Sequence, residues 1–478
     1  MAGSRRLAAV AVGLTLCWSA PPASAETGEQ LAQALEGSRP VFREGTVITG
    51  FVDLSGLRGV SVPFVCRSCE FRQGLRARHV RFERTVDLTG STLGQADLEG
   101  ARFNEALLFG GVAIAGSAQF PFAAFQDLAD FAGSSFGRKA DFASTRFEGL
   151  ARFSGAIFGG PTSFAASHFA QEALFAGGTT FSAEALFEGA VFGGATDFRG
   201  ATFAGPAYFL NADFGGRTDF SRATMGDQAR FDDSRFAGDG VFVGTAFDQK
   251  AVPSVSFENV SVANRLDLTA SFLLGVTQLL KLSAGQLILT DASFSPATTL
   301  FMDKVSATEL ELSLDNIERI SGRTDQQEAL ERIEATGKSD GNLGLANDAR
   351  YQLQQLASDN DWQPRRLADF LLYRWVAGYL VRPLRPLLWL LGLILLATVI
   401  RTVLVEYRGG RWQASRVART SGRFIRQLAY TITPKSDTQD LRPHRRVELT
   451  VYIVLLACFL VGLANSNPTL REIVDAVI

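Results

Sequence analysis

The sequence predicts an all-β solenoid followed by a helical segment and two transmembrane helices. The chain of 478 residues contains 38 Phe and 46 Gly but only 3 His. Phe recurs at alternating steps of 5 and 6 residues between positions 120 and 247. Two apolar stretches near the C terminus each have about 20 residues, the length of a transmembrane helix. This composition is typical of a repeat architecture rather than of a conventional enzyme domain.

Residues 1–25 are predicted to be a signal peptide. Two Arg precede the apolar run 7–18, and the sequence Ala-Ser-Ala that ends at Ala25 fits the small-x-small pattern of a cleavage site. The apolar run is short for a membrane anchor, and Cys17 lacks the small preceding residue that a lipoprotein signal requires. We therefore expect the chain from Glu26 onward to be exported.

Residues 26–44 are predicted to form an N-terminal helical cap. Leu31, Ala34 and Leu35 lie on one face of a short helical pattern that ends at Gly37. The ends of a solenoid expose unpaired strand edges and must be covered. This helix is therefore expected to close the first coil.

The regularly spaced Phe residues, which we call the Phe ladder, show a second regularity that predicts which side chains point inward. Of 24 ladder positions from Phe120 to Phe247, 23 are Phe and one is Met225, and the residue two before each is Ala, Ser, Thr or Gly. Residues two apart in an extended chain point to the same side. Phe and the small residue are therefore expected to point inward, and intervening residues such as Asp141 and Arg152 outward.

Two steps of 5 and two of 6 give a coil of 22 residues. Stacked coils would place each Phe over the one below, and burial would stabilise the fold by roughly 1.5–3 kcal/mol per side chain. The pattern extends back to Cys66 and forward, less regularly, through Leu289 to about Ile317. We therefore predict a solenoid over 45–320, with about 12 coils and a length of roughly 60 Å at about 4.8 Å per coil.

The repeat of a small residue, a polar residue and a central Phe or Leu resembles the pentapeptide-repeat family. The resemblance implies a right-handed quadrilateral β-helix, here with an extra corner residue on alternate sides. The stretch "WVAGYLVRPLRPLLWLL" is similar to the junction in membrane-anchored bacterial members of that family. Because the matched motif is architectural, it implies no site residues.

Residues 321–383 are predicted to form a helical junction. Two polar helical patterns flank the Gly-rich break "SDGNLG". The apolar stretch 367–381 contains Arg374 and Trp375 and is short for a span, which favours a helix lying at the membrane surface.

Transmembrane helices are predicted at 384–405 and 447–466. The intervening loop 406–446 has ten Lys or Arg against three acids, so the positive-inside rule places it in the cytoplasm. The solenoid and the tail 467–478 would then both lie outside the cytoplasm.

The loop leaves two interpretations open. It is either a solvated basic segment or an amphipathic helix on anionic lipid, with Phe424 and Leu428 toward the membrane. A channel function is disfavoured because the loop lacks a selectivity-filter sequence.

The sequence offers no catalytic constellation and no cofactor or metal site. His79, His168 and His444 are dispersed, and no nucleophile elbow or phosphate-binding glycine loop is present. We expect no enzyme activity.

Cys66 and Cys69 form the single CxxC pair of the chain. Alone it is weak evidence for zinc or redox chemistry, because no second pair exists. The register places both side chains inward, in a Phe position and a small-residue position. They are expected to be core residues, and an exported protein would also permit a local disulfide between them.

These features predict a membrane-anchored extracytoplasmic scaffold whose partners are the bilayer and an unidentified protein. The alternative is a two-span signal transducer, channel or transport component with the repeat region as its external sensor. Binding to a nucleic-acid-processing target through an acidic surface is disfavoured, since 120–250 has 15 acids intermixed with 10 bases. No small-molecule substrate is evident.

Overall fold

The computed structural model describes residues 25–248, 252–295, 298–358 and 387–396. The chain divides into two compact units, the first ending at Val262 and the second beginning at Ala263. The predicted signal peptide, the stretch 367–381, the basic loop and the second predicted span lie outside the described residues.

The first unit is a β-solenoid with four parallel strands in each turn, which we call faces 1 to 4 in chain order. In a regular turn each strand pairs with the strand 22 residues further on, as Ala113 does with Ser135. Face 1 consists of the strands Val41–Glu44, Phe64–Arg67, Val86–Asp87, Leu107–Leu108, Ala129–Asp130, Ala151–Arg152, Ala173–Leu174, Thr196–Asp197, Thr218–Asp219 and Gly240–Val241. Face 2 consists of Ala25–Thr27, Val47–Thr49, Glu70–Phe71, Thr92–Leu93, Ala113–Ile114, Ser135–Phe136, Ile157–Phe158, Thr180–Phe181, Thr202–Phe203, Thr224–Met225 and Ala246–Phe247. Face 3 consists of Phe51–Asp53, Gly74–Arg76, Ala96–Asp97, Ala118–Gln119, Ala140–Asp141, Thr162–Ser163, Ala185–Leu186, Ala207–Tyr208, Ala229–Arg230 and Val255–Ser256. Face 4 consists of Gly59–Val60, Arg81–Phe82, Arg102–Phe103, Ala124–Phe125, Arg146–Phe147, His168–Phe169, Val191–Phe192, Asp213–Phe214, Arg235–Phe236 and Ser261–Asp267, at whose third residue the second unit begins.

The Phe ladder forms the interior of this unit, as predicted. Phe142 has no exposed surface, and its ring stacks on those of Phe120 and Phe164 in the neighbouring turns, with centroids 4.7 and 4.9 Å apart. Rings from different faces meet edge to face, as Phe142 and Phe153 do at 5.5 Å and 83°. Both arrangements are favourable for aromatic pairs. The core therefore consists of stacked columns of rings in mutual edge contact.

The alternation of 5-residue and 6-residue steps corresponds to two kinds of corner. We call the 5-residue step the tight corner: its second residue after Phe has positive φ, as Gly133 (64°) and Ser144 (55°) do. We call the 6-residue step the wide corner: from Phe103 onward it has one more residue and no left-handed one, whereas Gly50 (79°) and Gly74 (125°) have positive φ where the first turns pass from face 2 to face 3. From Phe103 onward, each turn uses tight corners between faces 1 and 2 and between faces 3 and 4.

The lapse in the ladder between Phe175 and Phe181 is a one-residue insertion in a tight corner. Gly177 and Gly178 take up the extra residue with φ values of 72° and 85°, a conformation that costs glycine little. Thr180 then pairs with Ile157, one residue further along than usual. The register of the later turns is preserved.

Inward hydroxyl groups tie the tight corners of successive turns together. Thr145 Oγ1 donates a hydrogen bond of 2.7 Å to the carbonyl oxygen of Phe120, and Ser134 Oγ makes the same bond to Phe109. Buried polar groups require such partners. The small inward residue of a tight corner is therefore often Ser or Thr.

The N-terminal helix Gly28–Glu36 lies where the sequence predicts a cap. Thr27 begins it with a capping box, in which Thr27 and Gln30 exchange side-chain to backbone hydrogen bonds. Leu31 and Leu35 are fully buried. A Cβ on Gly28 would lie 2.1 Å from the carbonyl oxygen of Phe51, so the helix start touches the strand of face 3 directly.

The β-strands of the second unit form turns of three strands rather than four. Strands Phe272–Leu273, Val276–Gln278 and Ser283–Leu289 pair in order with Ser293–Phe294, Thr299–Phe301 and Ser306–Leu312. Each seven-residue strand takes the place of two short ones, so three strands are present where four were expected. The pairing of Ser283–Leu289 skips Gly285, and its buried residues Ala284 and Leu287 are three apart, so the inward and outward alternation is interrupted there.

The second unit continues into helices. A 3₁₀ helix, Leu314–Arg319, precedes the α-helices Arg323–Ser339 and Leu343–Ser358, which lie in the predicted helical segment. Residues 387–396, within the first predicted span, are also helical. Within the described ranges, none of the helices has both the length and the apolar character needed to cross a bilayer.

Candidate interaction surface

The surface of the first unit is an array of outward residues at fixed spacing. Each two-residue strand has one inward and one outward side chain. The parallel pairing of strands in successive turns places the outward residues of one face in a column. On face 4, for example, Arg102, Ala124, Arg146 and His168 are successive neighbours. Adjacent strands lie about 4.8 Å apart. A partner would therefore meet columns of side chains on a rigid framework.

Several outward Asp side chains on faces 1 and 3 stabilise the tight corner that follows them. Oδ1 of Asp130 accepts a hydrogen bond of 3.0 Å from the amide of Ala132, and Asp141, Asp197 and Asp219 bond in the same way. Asp and Asn favour such turns because their side chains can bond the backbone two residues on. These carboxylates have a structural role, which the sequence analysis did not recognise.

The first turns contain a network of ion pairs between coils. Arg67 Nε lies 2.6 Å from Asp87 Oδ2, and Arg84 lies 2.9 Å from Glu105. Burial favours a higher pKa for Asp87, but hydrogen bonds from Thr89 and the pair with Arg67 outweigh it, so its pKa is lowered. The hydrogen bond from Arg84 lowers the pKa of Glu105.

Face 4 differs because two of its arginines have no acidic partner. Arg102 and Arg146 are exposed, and within the described ranges no carboxylate lies within ion-pair distance of either. Arg235 on the same face pairs with Asp213 at 3.0 Å. The charge of Arg102 and Arg146 is therefore available to a partner.

An exposed aromatic side chain lies beside these arginines. Phe122 is 65% exposed and occupies the left-handed position of a tight corner, with φ of 59°. At this position most other turns have Gly, Ser, Ala, Asn or Asp, and two have His79 and Arg222. Phe122 is the one large apolar side chain at this position among the described tight corners, and a bulky residue with positive φ is an outlier. The sequence signal was a Phe off the ladder, two residues after Phe120.

Face 2 is nearly free of charge through the middle of the unit. From Ala113 to Ala246 its outward residues are small or apolar, with Ile157 the largest and 51% exposed. The other outward residues in this part of face 2 are Ala113, Ser135, Thr180, Thr202, Thr224 and Ala246. This part of face 2 therefore presents an uncharged surface of small and apolar side chains to a partner.

The CxxC cysteines lie inside the first unit. Cys66 and Cys69 are at most 1% exposed, and their Sγ atoms are joined in a disulfide. His79 and His168 are exposed on separate turns, and His444 lies outside the described residues. Within the described part of the chain, no three His, Cys, Asp or Glu side chains group closely enough to hold a metal ion.

The second unit has an open groove of about 660 Å³ beside its helices. It is lined by Leu314 and Ile317 of the 3₁₀ helix and by Leu330, Tyr351 and Leu356 of the two α-helices. Its lining mixes apolar side chains with amide and carboxylate groups.

Comparison with known families supports the repeat assignment. The model of pentapeptide repeats matches in nine copies, with matched residues 120–168, 176–224, 187–235 and 198–246. No curated protein matches the chain, and no solved structure does. The matched ranges cover the turns in which the Phe columns are most regular. By this match, residues 120–168 and 176–246 of the first unit are pentapeptide repeats.

Proposed function

We propose that this protein is a non-enzymatic interaction scaffold, exported and anchored in the membrane. The observation that supports the scaffold role is the construction of the first unit. Inward positions are occupied by rings such as Phe131 and Phe153, which have no exposed surface, so a ligand would have to bind the outward columns. Solenoids of this kind present extended binding surfaces.

Membrane anchoring is supported by the apolar stretches at 384–405 and 447–466. The helix 387–396 has four leucines that are 54–65% exposed: Leu388, Leu391, Leu395 and Leu396. Exposed apolar surface of this kind favours contact with lipid or with another apolar segment. The basic loop 406–446 would then face the cytoplasm.

Export is supported by the signal-like residues 1–25 and by the disulfide between Cys66 and Cys69. Disulfides persist in oxidising compartments and are rare in the cytosol. The first unit would therefore lie outside the cytoplasm, where it would meet a protein partner.

Protease accessibility tests this topology. One cleavable tag is placed between Gln171 and Glu172, at an exposed wide corner, and a second after Gly409. We expect cleavage of the first tag only in intact cells and of the second only in inverted vesicles. The opposite pattern would place the solenoid in the cytoplasm and end the proposal of an external scaffold.

A second candidate is a two-span transducer or transport component, favoured by the charge of the loop 406–446. Deleting that loop should abolish the cellular response that depends on this protein and leave surface display of the solenoid intact. Ion flux in vesicles reconstituted with the protein would favour transport over a scaffold. An unchanged response after the deletion, without flux, would exclude this candidate.

A further inference from the structure

The strongest unassigned feature of the first unit is the group formed by Arg102, Phe122 and Arg146, which we call the face 4 cluster. Ala124 pairs with Arg102 on one side and with Arg146 on the other, and Phe122 lies two residues before Ala124. The two arginines are thus separated by one strand whose outward side chain is a methyl group. Phe122, whose side chain is 65% exposed, lies in the tight corner that leads into the strand of Ala124.

The backbone around Phe122 is held firmly in its unusual conformation. Its amide donates to the carbonyl oxygen of Ala143 at 3.0 Å, and the amide of Gly100 donates to the carbonyl oxygen of Pro121 at 2.9 Å. The turns on both sides therefore fix the backbone position of Phe122. Strained residues that the surroundings hold in place concentrate at functional sites.

We propose that the face 4 cluster binds an acidic, extended segment of a partner protein. This inference rests on the proposed scaffold function and adds the chemistry of the partner. Each arginine pairs with one carboxylate of the segment, and an apolar side chain between the two carboxylates packs against Phe122. Arginine and aromatic side chains are the residue types that dominate protein interfaces.

The spacing of the cluster selects the form of the segment. Arg102 and Arg146 are two strand spacings apart, which is about 9.6 Å. In a polyproline II segment, residues three apart point to the same side and lie about 9.3 Å apart. A segment with an acidic residue at every third position therefore matches the two arginines.

Charge distribution favours a peptide over a nucleic acid or a membrane. Residues 120–250 have 15 acids and 10 bases, whereas nucleic acids and anionic lipids require a broad basic surface. Asp127 and Glu148 lie near the cluster in sequence and would repel a continuous polyanion. Two separate carboxylates avoid most of this repulsion.

The test measures binding of a labelled peptide, (Glu-Pro-Leu)₄, to the full chain in detergent by fluorescence anisotropy. The double variant Arg102→Gln/Arg146→Gln should bind at least about tenfold more weakly, and Phe122→Asn several-fold more weakly. The matched control Arg138→Gln/Arg222→Gln removes two other exposed arginines without ion pairs and should bind like the wild type. Asn tolerates positive φ, so Phe122→Asn should fold.

The remaining outcomes are decisive. Equal loss in both double variants would mean general electrostatics and would overturn the site. Absence of binding to the wild type would overturn it as well, as would stronger binding of duplex DNA or anionic vesicles through the same arginines. None of these results bears on the scaffold function, which the tag-accessibility and flux experiments test separately.

Discussion

The outward residues of the repeat have two different roles at the scale of the single side chain. Asp130 and Asp219 each accept a hydrogen bond from a backbone amide of the next tight corner. Each also forms an ion pair with an arginine. Within the described residues, Arg102 and Arg146 form no such ion pair. Charge on the surface of the first unit is thus partly structural, and only the remainder can serve recognition.

The pH dependence of stability should reveal the structural carboxylates. The pKa of Asp87 in the folded chain lies below its ordinary 3.8, so the folded state binds its proton less readily than the unfolded state does. Its contribution is therefore present above about pH 4 and lost as the pH falls through the folded value. The melting temperature of Asp87→Asn should lie below that of the wild type at pH 7, and the difference should shrink toward pH 2.5. A difference that is constant with pH would contradict this assignment.

The two kinds of Phe should respond oppositely to substitution. Phe142→Ala removes a buried ring that stacks on both sides and should lower the free energy of unfolding by about 3–5 kcal/mol. Phe122→Gly relieves a left-handed Phe and should raise it by about 1 kcal/mol. Hydrogen exchange of the amides in neighbouring turns measures both changes. If Phe122→Gly destabilised the chain by several kcal/mol, the ring would be part of the core.

At the scale of the element, the two kinds of corner explain the step lengths. A tight corner turns the chain onto the next face within 5 residues by means of one left-handed residue, such as Gly155 with φ of 70°. A wide corner contains a sixth residue, and none of its residues needs a positive φ. In wide corners the stacked backbones approach closely, since a Cβ on Gly149 would lie 2.5 Å from the backbone of Asp127.

Deletions in the corners should separate a tolerated change from a disruptive one. Removing Gly178 restores a regular 5-residue corner and should leave stability unchanged or slightly higher. Removing Gly155 from an ordinary tight corner would turn Ala156 and Phe158 away from the interior and should unfold the adjacent turns. Limited proteolysis of the two variants compares them directly. Equal resistance in both would show that corner length does not set the register.

Which features could be predicted from the sequence depends on whether the side chains point inward or outward. Inward positions such as Phe153 obey a steric rule that repeats in the sequence, so their burial could be predicted. The seven-residue strands of the second unit were not predicted, because strands such as Ser283–Leu289 contain no Phe to mark the corner positions. The face 4 cluster obeys no repeat rule, since outward residues are free to vary. Only a Phe off the ladder marked it.

At the scale of the whole molecule, stability in the first unit is built from contacts between neighbouring turns. Phe142 touches rings of its own turn and of the turns before and after it. Solenoid stability is approximately a sum over such repeats and their interfaces. The number of turns can therefore change, whereas the number of corners in a turn cannot.

Removing one whole turn tests this view. Deleting residues 144–165 joins Ala143 to Ala166, which is also left-handed, and preserves the order of tight and wide corners. We expect a folded chain whose melting temperature falls by only a few degrees, because one turn and one interface are lost. The matched control deletes 148–153, a single wide step, and places two tight corners in succession. Every later strand would then pair with the wrong face, so this shorter deletion should abolish the cooperative β-sheet transition in circular dichroism. A whole-turn deletion as damaging as the six-residue one would mean that the unit depends on contacts beyond neighbouring turns.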